Sequence, residues 1–203
     1  MKPRRLGRWV GVAVGVCVAA EVAIGQLSCA GDGDAYTGGW ANTRLLGWTA
    51  LVALCATLCV SPLARLYYSV RPEPSAWVRE IRRALGLTAA SAALAHALLA
   101  LATVPATSAG LFAAPRLRSG AAALLVLVVL YLTSFQTLVR RLHLAFWKPL
   151  HRLAYLALVL AAHHALTSAF VSAWAVGWLV GATLLVGALR FVPLSAARRS
   201  RSL

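Results

Sequence analysis

The chain has 203 residues, 61% hydrophobic and 12% charged, with a mean hydropathy of +0.76; soluble domains are about a quarter charged, so a water-soluble globular protein is excluded. Twenty lysines and arginines against five acids give a net charge of +15, which in a soluble chain points to nucleic acid. Here the basic residues stand in small groups at the ends of apolar segments, where they set membrane topology, and no nucleic-acid partner is expected.

Six apolar runs follow in order: Trp9–Ala30, Leu45–Ser61, Ala84–Val104, Gly120–Leu138, Leu150–Phe170 and Ser172–Leu189. Each is predicted to span the bilayer as a helix, the form that satisfies its own backbone in lipid. At roughly 20 residues per crossing, six spans use about 120 residues and leave only short loops and tails. The expected fold class is therefore all-α: an integral membrane bundle of six transmembrane helices in a single domain, residues 1–203.

The first run follows a basic start, as a cleaved signal does, and Gln26-Leu27-Ser28-Cys29 has the outline of a lipoprotein cleavage site. Gln26 stands where an aliphatic residue belongs, however, and the 22-residue length with an internal Glu21 argues for a retained span. Glu21 shares a strip with Cys17, Gly25 and Ser28. It reads as a protonated, hydrogen-bonded packing residue rather than a proton or quinone contact. The cysteines Cys17, Cys29, Cys55 and Cys59 all fall inside apolar runs and read as small buried hydrophobes. Cys55 and Cys59 are i,i+4 neighbours, but two thiols make an incomplete metal site.

The flanks alternate in charge. Lys2, Arg4, Arg5 and Arg8 precede the first run; Arg65, Arg71, Arg79, Arg82 and Arg83 separate the second and third; Arg140, Arg141, Lys148 and Arg152 surround the start of the fifth; Arg190, Arg198, Arg199 and Arg201 follow the sixth. These are 17 of the 20 basic residues, against Arg44, Arg116 and Arg118 opposite. By the positive-inside rule both termini are cytoplasmic.

The histidines carry the chemistry. His96 lies in the third run, and His151, His163 and His164 lie in the fifth; ionisable groups at membrane depth are costly and functional by default. Both runs ascend from the cytoplasmic side. His96 is 13 residues past Arg83 and His164 is 16 past Lys148, about 20 and 24 Å up their helices. His151 is near the cytoplasmic face. Helical phase chooses between the adjacent pair: Ala154, Ala157, Ala161, His164 and Ser168 fall within an arc of about 80°, a small-residue strip that admits a helix or a flat macrocycle. His163 points the other way, among Leu156, Val159, Leu166 and Phe170, as an interfacial or supporting residue. Two imidazoles at matched depth on parallel helices suit haem iron. Zinc is disfavoured, because no carboxylate or thiol lies at that depth on those helices. His151 and His164 differ by about 220° in phase, so His151 is either re-aimed by a bend near Pro149 or serves a displaced site.

These residues also carry a family resemblance. Gly47-Trp48-Thr49-Ala50-Leu51 through Ser61-Pro62-Leu63-Ala64-Arg65, Arg82-Arg83-Ala84-Leu85-Gly86-Leu87 with His96 ten residues after the glycine, and Thr133-Ser134 followed by Arg140-Arg141-Leu142 resemble the ferric reductase-like transmembrane family. So does Trp147-Lys148-Pro149-Leu150-His151-Arg152-Leu153-Ala154-Tyr155 with His164 thirteen residues after His151. Within that family the pattern is most similar to the MsrQ branch, the haem-binding subunits of periplasmic methionine sulfoxide reductases. The motifs run over residues 43 to about 168, in a family-like core reaching about residue 190. His143 departs from the pattern, standing where a glycine usually follows the Arg-Leu, in a loop one residue longer.

The resemblance implies a multi-pass b-type cytochrome of the bacterial inner membrane, with one or two haems and with FMN or a quinone as further candidate cofactors. It places His96, His151 and His164 at haem-ligand positions. It puts Arg82 and Arg83 where related oxidases carry another histidine, either facing haem propionates or acting as positive-inside anchors. It implies electrons from quinol or a cytoplasmic flavin reductase, passed to a periplasmic molybdopterin-containing reductase subunit. Two alternatives stay open: a self-contained transmembrane reductase of metal ions or oxygen, and a haem-free scaffold or transporter. No Gly-rich dinucleotide fingerprint is present, so a separate electron donor is expected.

Overall fold

An apolar segment in lipid must close its own backbone hydrogen bonds, and the computed structural model of the chain is helical throughout the residues it describes, 35–70, 76–103, 115–135, 144–168 and 172–191. Five helices follow in order: α1 Ala35–Val70, α2 Ala76–Thr103, α3 Pro115–Leu132, α4 Leu144–Leu166 and α5 Ala173–Ala188, with a short 3-10 turn at Leu189–Phe191. Most of each of the second to sixth apolar runs falls on these helices, which end at Thr103, Leu132 and Leu166 in the third to fifth runs. The first run lies outside the described residues, as do Cys17, Glu21, Cys29 and His143.

The helices overrun the apolar runs where nothing in the sequence stops them. α1 begins well before Leu45 and continues past Ser61 with Pro62 inside it; the proline costs a backbone bond, a loss that membrane helices tolerate when neighbours cover it, and Pro62 is fully buried. α4 likewise continues through Pro149. α3 starts on Pro115, which needs no N–H partner in a first turn. It ends short of Leu138, because the Thr133 and Ser134 hydroxyls donate to the Val129 and Leu130 carbonyls at 2.8 and 2.6 Å and compete with the backbone ladder. Its last bonds tighten, with the Ser134 N–H donating to the Tyr131 carbonyl. Elsewhere Thr49, Thr57, Thr88 and Thr183 return their hydroxyls to the carbonyl four residues back, so no water is needed to satisfy them.

α1 packs most extensively on α2, and α3 on α4; α2 also packs on α3, and α1 on α4. The four helices form a closed ring in which α2 and α4 face each other across a diagonal, with α1 and α3 on the other. α5 lies outside the ring against α1 and α4. The interior holds Leu51, Leu54, Leu58, Leu127, Leu130 and Leu158, with Ala89, Ala154 and Ala157 where helices approach closely. The exterior is also apolar: Leu98, Leu125, Val159, Trp174 and Trp178 are at least 60% exposed. A surface this apolar matches lipid rather than water. By length and composition Asn42–Ala64 and Val78–Ala102 can each cross a membrane, and Leu117–Leu132 and Ala173–Ala188 are shorter apolar helices.

Candidate functional site

The α2–α4 diagonal carries two polar layers on otherwise apolar helices. In the outer layer, His96 of α2 and His164 of α4 meet with ring centroids 6.1 Å apart and planes inclined by 75°. The helical phase that turns His164 inward also buries Ala154 and Ala157 on its strip. His163, one residue earlier, is exposed, beside the exposed Leu156, Val159 and Leu166, and shares a 3.0 Å hydrogen bond with the Ser119 hydroxyl of α3.

The remaining diagonal contributes bare backbone. A Cβ on Gly47 of α1 would lie 3.2 Å from the His96 ring, and one on Gly120 of α3 would lie 2.8 Å from Nδ1 of His164. Each imidazole is therefore seated against a glycine, and each of the four ring helices supplies one wall. The Thr43 carbonyl, one turn before Gly47, accepts a 2.7 Å hydrogen bond from His96 Nδ1–H. That assignment leaves Nε2 of His96 with its lone pair, the state in which a histidine binds a metal, with a backbone carbonyl fixing tautomer and ring plane.

The inner layer lies 13 residues closer to the other end of the same helices, at His151 on α4, with Arg82 and Arg83 on α2, about 20 Å away along the axes. Arg82 donates to the Ser61 hydroxyl of α1 at 3.2 Å and lies within electrostatic range of His151. The Arg83 Nε is buried with no hydrogen bond. His151 and His164 thus meet different partners, as their phase difference requires. The structure brings His96 and His164 together and groups His151 separately with Arg82.

The outer layer presents two imidazoles at the spacing that a shared metal requires. A metal bound at about 2 Å by one nitrogen from each imidazole, with each ring centre about 1 Å further on, separates the centroids by about 6 Å. The observed separation is 6.1 Å, and neither glycine places a side chain against the ring it faces. Among the described residues no group of three or more His, Cys, Asp or Glu side chains converges; Cys55 and Cys59 are free thiols. Sequence reasoning missed Thr43, Ser119 and Gly120 as participants. The one signal available was spacing: Thr43 and Gly47 are i,i+4 on one face, and Ser119-Gly120 is a small pair opening an apolar run.

Comparison with known proteins places this architecture. Residues 46–162, bearing His96 and His151 and ending just before the adjacent histidine pair, match the family described as ferric reductase like transmembrane component. The chain is 39% identical to the protein-methionine-sulfoxide reductase haem-binding subunit MsrQ of Deinococcus radiodurans, over 64% of this chain and 67% of that one. It is 35% identical to MsrQ of Azospira oryzae, over 61% of this chain and 53% of the relative, and 37% identical to that of Ralstonia nicotianae, over 60% and 56%. The alignments thus span between about half and two thirds of the relatives' lengths. The chain belongs to the ferric reductase-like transmembrane family.

Proposed function

We propose that this protein is a membrane-embedded b-type cytochrome subunit of six spans, with both termini cytoplasmic. It passes electrons from quinol or a cytoplasmic flavin reductase outward to a periplasmic molybdopterin-containing methionine sulfoxide reductase. The observation that carries the reading is the pair of imidazoles on diagonal helices, 6.1 Å apart and each set against a glycine; the names of the three relatives supply the haem and the reductase partner. Haem b supplies reversible one-electron storage between ferric and ferrous iron. His96 and His164 would hold the haem, with the Thr43 carbonyl fixing the plane of the His96 ring. In the inner layer His151 would hold a second haem, with Arg82 and Arg83 available to its propionates; the buried Arg83 Nε is suited to a carboxylate acceptor. The basic segments from Arg65 to Arg83 and from Arg140 to Arg152 in the sequence supply the positive charge on which an anionic donor or lipid docks.

The purified protein is expected to show a low-spin haem spectrum that sharpens on dithionite reduction; no absorbance under either condition identifies a haem-free scaffold instead. His151→Ala is expected to leave the outer haem's spectrum intact, because its layer is about 20 Å away. In oriented vesicles an impermeant oxidant should oxidise the haem fastest from the side opposite the basic loops, and faster oxidation from the basic side overturns the direction proposed.

Dependence on a donor is checked separately. The chain alone should oxidise little NAD(P)H, whereas a quinol analogue or an added flavin reductase should reduce its haem. Reduction by a soluble donor should slow as salt rises, and reduction by a membrane-soluble quinol should barely change. Rapid NADPH oxidation by the protein alone would mark a self-contained reductase.

A further inference from the structure

Two adjacent histidines on one helix create an ambiguity of register. Rotating α4 by about 100° and sliding it by about 1.5 Å exchanges the positions of neighbouring residues, so His163 would then occupy the place of His164. The opposing helix breaks the ambiguity with two adjacent residues of its own. Ser119 shares a hydrogen bond with His163, and Gly120 leaves room for His164 where a Cβ would sit 2.8 Å from its ring.

We propose that Ser119-Gly120 on α3 is a two-point latch for His163-His164 on α4, with Ser119 and His163 acting as positioning residues that set the rotation of α4 and the plane of the His164 imidazole. The two halves differ in chemistry. The hydroxyl offers a polar partner to His163, and the bare glycine admits the ring of His164. A rotated helix would bring the His163 ring toward the glycine and leave the serine facing an aliphatic neighbour. This inference rests on the haem-ligand reading of His96 and His164 and adds to it the means by which one of two candidate histidines is selected.

The test uses the full-length protein with its haem in detergent or nanodiscs. It reads the low-spin ferric EPR signal, whose anisotropy follows the angle between the imidazole planes, 75° here, and the rate of haem transfer to apomyoglobin. Ser119→Ala is expected to shift the EPR signal and speed haem transfer by about two- to tenfold, the range one net hydrogen bond sets. His163→Ala should do the same, the double variant should be no worse than either single one, and Ser119→Thr, which keeps the hydroxyl, should stay near wild type. Unchanged EPR and transfer in Ser119→Ala, independent addition of the two effects, or an equal loss in Ser119→Thr each overturns the latch. A wild-type protein without haem overturns the cytochrome reading itself, which separates the two failures.

Discussion

His96→Ala and His164→Ala should each abolish the low-spin spectrum of the outer haem, whereas His163→Ala should keep it. The two rings stand 6.1 Å apart on diagonal helices, and His96 is already held in the tautomer that leaves Nε2 available by its 2.7 Å bond to the Thr43 carbonyl. On the proposed ligation, removing either ring would take away one of the two nitrogens that hold the iron and leave a hole of imidazole size. The expected readout is a high-spin spectrum or loss of haem. Free imidazole added to His96→Ala should enter that hole and restore the low-spin spectrum, which separates a lost ligand from a misfolded bundle. His163, by contrast, is exposed at the outer edge and bonded to Ser119; its loss loosens the seat without emptying it. A spectrum lost equally in His163→Ala would show that the assignment of the pair is reversed.

How much of this was readable beforehand depended on which part of the physics has a period. Apolar runs report helices because composition and length are enough: the described parts of the second to sixth runs are mostly helical, and two of those helices are long and apolar enough to cross a membrane. Counting residues from Arg83 and Lys148 placed His96 and His164 at one depth because rise per residue is constant. The 100° step separated His164 from His163 because α4 has one small-residue strip. The same step was silent on α2, where alanines surround His96 on every side. Long-range partners have no period. The Thr43 carbonyl is a backbone group present at every position, Gly47 and Gly120 are a residue type common in membrane helices, and the meeting of Arg82 with Ser61 and His151 joins three helices that sequence spacing cannot relate. Helix ends were also hidden, since Pro62 and Pro149 lie inside helices that the tertiary packing carries through.

The glycines provide the sharpest quantitative expectation, because the chain contains a graded series of them. A Cβ added at Gly181 on α5 meets nothing within 4 Å, one at Gly47 lies 3.2 Å from the His96 ring, and one at Gly120 lies 2.8, 3.0 and 3.1 Å from three atoms of the His164 ring. Alanine also favours a helix over glycine by about 0.8–1.0 kcal/mol, so all three substitutions gain the same local term and differ only in what the methyl group strikes. Gly181→Ala should therefore leave haem binding unchanged and raise the melting temperature slightly. In Gly47→Ala the His96 ring must give by a few tenths of an ångström, and its bond to Thr43 resists, so the haem should be retained with a shifted spectrum. In Gly120→Ala the methyl meets the edge of a rigid ring at several atoms and His164 must leave its position; haem occupancy should fall at least tenfold while the apoprotein's helix content and melting temperature hold or rise. Opposite signs for haem affinity and apoprotein stability in one variant are not what general destabilisation produces. Titration of the three purified variants with haemin, alongside circular-dichroism melts of the haem-free forms, measures both. Haem affinity in Gly120→Ala equal to that in Gly181→Ala would mean that the His164 ring does not rest on α3 and that the four-helix seat is drawn wrongly.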